Sequence, residues 1–358
     1  MKIVYIGKYF KPYFGGIETV SEQLAEGMTK LGHDVSVMVS HERTWHKSIN
    51  TQNSYDIIKL RSLGRITSVP LCLWSADAIN NLKPDIIHFH LPNPLPLFLI
   101  NKLSGIKIAT YHASIVNKGL LGRIYSKKYK KQINSFDKII LTSKNTSNEK
   151  NFLNLCISSE KIVEIPLGVE LKNVVKKQIN ENKKIKLVFS GRLVEYKGLE
   201  YLIKAMRQID AELFIIGDGV LKLKLIQLTE KLKLKHKIIF MPPMTRNNLL
   251  NFINSCNLFV LPSISEAEAF GMSALEAMSL GVPVVTTNLN SGVSEINIDG
   301  LTGKIVEPRS AKALALGINE VLDIKKLETL GLKARDRYVE NYTLKKMISA
   351  HSELYKSL

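Results

Sequence analysis

Apolar positions along the chain follow two alternating periods. KIVYIG (2–7) is a run with no polar break, as expected of a strand buried on both faces. In IETVSEQLAEGMTKLG (17–32), Val20, Leu24, Met28 and Leu31 recur every three or four positions, which predicts a helix with one apolar face. DVSVMVS (34–40), DIIHFH (85–90), IKIAT (106–110) and DKIILTS (137–143) are further strand runs. The rhythm restarts after the polar, lysine-rich stretch 169–184. KIKLVFSGRL (184–193), ELFIIGDG (212–219), KIIFMP (237–242), NLFVLPS (257–263) and VPVVTT (282–287) read as strands, with GLEYLIKAM (198–206) and KLKLIQLTEKLKL (222–234) as helices among them. Such alternation predicts α/β architecture with parallel, doubly wound sheets. The expected organisation is a Rossmann-like domain over 1–168, a linker over 169–184, a second Rossmann-like domain over 185–340, and a helix over 341–358 that can return to the first domain. Two such domains are expected to face each other across a cleft that holds the site.

The chain has 358 residues, 45% of them hydrophobic, which is enough for two cores. Its formal net charge is +18. That excess fits either an anionic partner or a surface of solvated lysines. Cys72, Cys156 and Cys256 are far apart in sequence and form no C-x-x-C, so reduced core thiols in a cytoplasmic protein are expected. The opening MKIVYIGKYF reads as a strand rather than a secretory signal, and no run of about 18 apolar residues could span a membrane.

Four stretches carry candidate chemistry. In FGGIETV (14–20), Gly15 and Gly16 follow the first strand and open a helix. They let a ligand approach the backbone near a helix N-terminus, or they simply form a tight turn. In FSGRLVEYKGLEYL (189–202), Arg192 and Lys197 share a loop at the carboxyl end of a strand, just before a helix. Two cations there suit a diphosphate, or are surface charges.

The third stretch is SEAEAFGMSALEAMSLGVPVV (265–285), with a helix expected from Met272. A helical path from Glu268 to Glu276 would rise about 12 Å. Paired glycosidase carboxyls stand roughly 5–9.5 Å apart, so these two are poor candidates for an acid–base pair. They suit hydroxyl donors on either side of a diphosphate, the layout of a nucleotide sugar. The fourth is ATYHAS (109–114), where His112 ends a strand as a turn residue or a site residue. His88 and His90 stand two apart, but no third ligand with metal-binding spacing is evident. The chain also contains no Asp-x-Asp, so no metal held by clustered carboxylates is indicated, and Arg192, Lys197 and helix N-termini would stabilise a leaving diphosphate instead.

In this order, Gly15-Gly16 with Glu18, His112, IPLGVE (165–170), SGRLVEYKG (190–198), GDG (217–219) and EAFGMSALEAMSLGVPVV (268–285) resemble retaining glycosyltransferases of family 4, which have the GT-B fold. The resemblance runs over nearly the whole chain. It implies that Gly15 and Gly16 admit the donor diphosphate, and that Arg192 and Lys197 bind its phosphates and neutralise the leaving group. Glu276 would accept from the ribose and Glu268 from the sugar. The backbone of Phe270, Gly271, Met272 and Ser273 would touch sugar and phosphate, and His112 would lie near the reacting carbon. The base would rest by Gly217, Met241 and Pro242. The resemblance further implies no cofactor or metal, a UDP- or GDP-linked hexose or N-acetylhexosamine donor, and a glycan or lipid-linked acceptor in surface-polysaccharide synthesis. Ser114 departs from the pattern, since some relatives carry an acidic residue there.

NKGLLGRIYSKKYKKQI (117–133) places Leu121, Ile124, Tyr125 and Ile133 on one stripe, surrounded by Arg123, Lys127, Lys128, Lys130 and Lys131. It reads either as a helix lying on an anionic membrane face or as a helix packed on the sheet with a solvated basic side. Against a nucleic-acid partner stands the lack of a basic recognition helix, interleaved aromatics or a zinc motif. A nucleotide-sugar epimerase of similar fold is the remaining enzyme alternative.

Overall fold

The computed structural model describes residues 1–10, 15–40, 48–50, 54–66, 69–112, 120–148, 150–170 and 184–358, with the backbone alone at 48–50, 65–66, 120–126 and 150. The chain divides into two compact units, Met1–Leu167 with Lys345–Leu358, and Gly168–Leu344.

The strands of the first unit are β1 (Lys2–Ile6), β2 (Asp34–Ser40), β3 (Ser48–Asn50), β4 (Asp56–Leu60), β5 (Ser62–Ile66), β6 (Val69–Cys72), β7 (Ile86–Leu91), β8 (Ile106–Tyr111), β9 (Lys138–Leu141) and β10 (Ile162–Glu164). Eight form one sheet in the order β10-β9-β8-β7-β1-β2-β4-β3, while β5 and β6 pair as a separate hairpin. β3 runs antiparallel to β4, and every other pair in the large sheet is parallel. Ile3, Val4, Tyr5 and Ile6 are fully buried, which is why β1 reads as an unbroken apolar run. The chain winds from β1 out through β2 to β4, then crosses to β7 on the other side of β1. Asn93 ties the two loops at this reversal, its Nδ2 donating to the Gly7 carbonyl at 3.0 Å.

The first helix, Gly16–Lys30, buries Val20, Leu24 and Met28. Leu31 departs from the expected face. The helix ends at Lys30, so Leu31 takes the C-cap position and is 53% exposed.

In the second unit, β11 (Lys186–Ser190), β12 (Glu212–Ile216), β13 (Ile238–Met241), β14 (Leu258–Leu261), β15 (Val284–Thr287) and β16 (Gly303–Val306) form a fully parallel sheet in the order β13-β12-β11-β14-β15-β16. Here the order reverses between β11 and β14.

The unit boundaries differ from the expected 168, 185 and 340. Val169 is fully buried in the second unit. Its N–H donates to the Tyr342 carbonyl at 3.0 Å, and its own carbonyl accepts from Leu344 N–H and the Tyr338 hydroxyl, each at 2.8 Å. These bonds take Val169 out of the expected linker, of which 171–183 lie outside the described residues. They also hold residues 341–344 in the second unit, so the terminal segment joins the first unit only from Lys345. Helix Leu344–Lys356 docks there through Tyr355, whose hydroxyl meets His88 Nδ1 at 2.5 Å and the Tyr5 hydroxyl at 3.2 Å.

Candidate active site

The reversal between β11 and β14 sends the loops after Ser190 and Leu261 in opposite directions at the carboxyl edge of the sheet, where doubly wound sheets take ligands. The two loops are laced together, with Ile264 N–H donating to the Tyr196 carbonyl at 2.8 Å. Gly198 makes this approach possible. It sits at φ +64°, and a Cβ there would strike the Pro262 carbonyl. Lys197 (7% exposed) from one loop thereby meets Glu268 (8% exposed) from the other in an ion pair through Oε2. The same oxygen accepts from Ser263 Oγ at 3.0 Å, and Thr287 Oγ1 donates to the Ser263 carbonyl. Two opposite charges taken out of water together compensate each other's desolvation, whereas removing one leaves the other uncompensated.

Three residues beyond Glu268, Gly271 adopts φ +80°, ψ 44° and starts helix Met272–Ser279. The amides of Met272 and Ser273 precede the first hydrogen bond of that turn, which Ala274 N–H makes to the Gly271 carbonyl at 2.9 Å, and they lie at the positive end of the helix dipole. Phe270 is buried edge-on against Tyr342, with ring centroids 6.0 Å apart, while Met272 and Ser273 are half-buried. Glu276, farther along the helix, pairs with Arg246 at 3.3 Å.

Arg192 is exposed on the loop after β11 and donates to the Tyr196 hydroxyl at 3.3 Å. The expected two-cation phosphate clamp is therefore divided, with Lys197 inside against Glu268 and Arg192 outside. The reason is the 3₁₀ turn Glu195–Lys197, which carries Lys197 inward. Gly217 follows β12, and Met241 and Pro242 end and follow β13, on the same sheet edge, where Gly217 N–H donates to the Met241 carbonyl at 3.1 Å. Sequence reasoning missed Ser263 and Arg246. Ser263 directly follows a strand run and a proline, a usable signal, whereas nothing in TRNN (245–248) marks Arg246.

In the first unit, Gly15 is the N-cap and Gly16 the first residue of the first helix. His112 leaves the end of β8 with its N–H donating to the Leu91 carbonyl at 3.3 Å. Its Nε2 meets Nδ1 of His90 at 2.9 Å. Burial holds His112 at about 3, assisted by the nearby His351, and holds His351 at about 4. Burial and neighbouring imidazoles hold His88 and His90 well below the ordinary histidine value. Ser114 lies outside the described residues.

The basic segment forms helix Leu120–Asn134, in which Tyr129 and Ile133 are buried and Lys127, Lys128 and Lys131 are exposed. Lys128 lies over the Phe98 ring at 4.3 Å, and Lys130 Nζ is 2.9 Å from Cys156 Sγ. The side chains of Leu121, Arg123, Ile124 and Tyr125 are outside the described set. Cys156 corrects the expectation of three core thiols. It follows a short helix at φ +51° and is exposed, while Cys256 is buried and Cys72 half-buried, and all three are free.

Residues 14–173 match the family model for glycosyltransferase family 4, and residues 170–343 match that for glycosyl transferases group 1. The chain is a glycosyltransferase of the GT-B fold. The transferase is 26% identical over 375 residues to O-antigen chain mannosyltransferase C of Escherichia coli, covering 100% of this chain and 99% of that one. It is also 26% identical over 355 residues to D-rhamnosyltransferase WbpZ of Pseudomonas aeruginosa, at 96% and 92% coverage. Among solved structures, Anabaena Alr3699/HepE in complex with UDP and glucose shares the fold at a TM-score of 0.78, 18% identity and 100% coverage of both chains. The Lys197–Glu268 pair lies within the group 1 region of the transferase, and His112 within the family 4 region. Among the described residues, no helix is long and apolar enough to cross a membrane, and no group of three side chains could hold a metal ion.

Proposed function

We propose that the transferase is a retaining enzyme of the family 4 type. It moves a hexose or N-acetylhexosamine from a UDP- or GDP-linked donor to a glycan or lipid-linked acceptor in surface-polysaccharide synthesis. The observation that carries this reading is the convergence of Lys197, Ser263 and Glu268 from two loops at the strand-order reversal, beside a helix start at Gly271. Lys197 and Ser263 both engage Oε2 of Glu268, which leaves Oε1 to accept from sugar hydroxyls. The lysine ammonium has three donors, so it can hold Glu268 and a phosphate oxygen together. The amides of Met272 and Ser273 add donors for the diphosphate. Arg192 reaches the diphosphate from the solvent side, and Glu276 accepts from the ribose in place of part of its contact with Arg246. Gly217, Met241 and Pro242 border the base, Gly15 and Gly16 the diphosphate, and His112 the reacting sugar.

In the reaction, the acceptor oxygen bonds to the anomeric carbon on the face from which the diphosphate leaves. The acceptor proton passes to the departing phosphate oxygen, whose charge Lys197 and the helix start stabilise without a metal. The relatives' names, an O-antigen mannosyltransferase and a rhamnosyltransferase, support the surface-polysaccharide setting. Exposed Lys127, Lys128 and Lys131, with Lys128 over Phe98, support contact with anionic lipid headgroups.

The test is thermal unfolding with UDP, GDP, ADP and their sugars. Saturation at one hundred times Kd adds about 2.7 kcal/mol of stability by mass action. Lack of a shift with every nucleotide rejects the site. Turnover that EDTA abolishes rejects metal independence, and a product of inverted anomeric configuration rejects retention. Failure to co-sediment with anionic vesicles at low salt rejects the membrane contact.

A further inference from the structure

The first unit holds a buried row of imidazoles that the proposed function leaves unassigned, apart from His112. His90 lies in β7 and His112 just past β8, its parallel neighbour. Their ring centroids are 5.2 Å apart, and the His90 ring also stacks on His88 at 4.9 Å and Tyr5 at 5.8 Å. One nitrogen of His90, Nδ1, meets His112 Nε2 at 2.9 Å. The other, Nε2, is buried without a hydrogen-bond partner among the described residues.

Burial keeps both imidazoles uncharged, so each carries a single N–H. Two proton arrangements can then make the bond. If His112 Nε2–H donated, the His90 proton would have to sit on Nε2, a buried N–H with no acceptor. Orphaned buried N–H groups are rare in folded proteins, and an unmade donor loses its full hydration. If His90 Nδ1–H donates, the unmatched Nε2 is a lone pair and no N–H is stranded. The second arrangement puts the proton of His112 on Nδ1, on the side of the ring away from His90.

We propose that His90 is a positioning residue for His112: its Nδ1–H donates to His112 Nε2, fixes the His112 ring, and makes the remaining ring nitrogen an N–H donor to a sugar oxygen. This rests on the reading of His112 as a residue at the reacting sugar. With one nitrogen occupied and the other already protonated, His112 works as a hydrogen-bond donor and not as a proton acceptor.

The experiment uses the full chain labelled with 15N-histidine, with His112 assigned from the His112→Gln spectrum. In the wild type, long-range 1H–15N correlations show His112 as the Nδ1–H tautomer. In His90→Asn, whose amide N–H stands near the place of Nδ1–H, that pattern persists. In His90→Leu it is lost. Turnover is read as nucleoside diphosphate release from whichever of UDP-glucose, UDP-N-acetylglucosamine and GDP-mannose the wild type uses fastest. His90→Leu lowers kcat about tenfold with donor KM changed less than about twofold, equivalent to about 1.4 kcal/mol of barrier, and His90→Asn recovers most of the loss. An Nε2–H pattern for His112 in the wild type overturns the inference even if no variant folds. So do equal kcat losses in the Asn and Leu variants. Full turnover by His112→Ala would instead remove the site role of His112, leaving the tautomer result as an independent reading of the His90 contact.

Discussion

Acidification should unfold the first unit well above the pH at which carboxylates protonate. Four buried histidines, His88, His90, His112 and His351, are held below the ordinary value of about 6.5. Their rings stack at 4.9 Å (His88–His90), 5.2 Å (His90–His112) and 5.8 Å (His88–His351), so charging one raises the cost of charging the next. The phenols packed with them, Tyr5 and Tyr355, are pushed above their ordinary value by burial and stay neutral throughout. Below pH 6.5 the unfolded chain binds protons that the native chain refuses, so stability present at pH 7.5 is lost as pH falls. The loss continues until His351 protonates near 4 and His112 near 3. A histidine kept neutral at pH 5.5 forfeits about 1.4 kcal/mol, and at pH 5 about 2 kcal/mol, relative to pH well above 6.5. Four together forfeit about 8 kcal/mol at pH 5, comparable with the whole stability of a typical domain. The assay is urea unfolding from pH 7.5 to 5, with amide exchange in β7, β8 and helix Leu344–Lys356 to localise the loss. Near pH 5 the slope of stability against pH should approach uptake of about 4 protons, and His351→Phe should remove about one of them. A slope below about 1 proton would refute the reasoning.

Lys197→Met should cost about 3–5 kcal/mol, because Glu268 is left charged and buried, and adding Glu268→Gln should restore much of it. A urea-unfolding double-mutant cycle measures the coupling, and additive losses would mean that the pair is not desolvated. Gly198→Ala should cost at least about 2 kcal/mol, since φ +64° and the Pro262 carbonyl both oppose a Cβ. Chemical unfolding reads that loss, and the nucleotide-induced rise in Tm should vanish with it. Glu276→Ala should leave the unliganded Tm within a few degrees, because its partner Arg246 is partly exposed, yet weaken the UDP or GDP shift at least tenfold in ligand concentration. Unchanged nucleotide affinity would remove Glu276 from the ribose.

The two sheets were legible because their central strands are buried on both faces and so appear as apolar runs, as in β1, β11 and β14. The helix start at Met272 was legible from the Phe270-Gly271 turn, which the structure realises with Gly271 at φ +80°. Boundaries were less legible. The bonds that capture Val169 come from Tyr338, Tyr342 and Leu344, at the far end of the second unit, and no local period encodes them.

The ion pair at the centre of the site was hidden for the same reason. Lys197 and Glu268 are 71 residues apart in sequence and meet because β14 pairs with β11. Apolar runs reveal strands, but strand order depends on which faces the helices cover, and that is a property of the whole domain. Sequence reasoning could place each residue at a carboxyl strand end and infer an anionic ligand. It treated the cation and the carboxylate as independent claims on different parts of that ligand. Adjacent loops make them one unit, in which the lysine holds the carboxylate ready to accept hydroxyls while keeping donors for phosphate. A substitution at either residue therefore disturbs both functions. Assigning phosphate binding to one and sugar binding to the other from single variants would misread the site, and only the paired variants separate the two contributions.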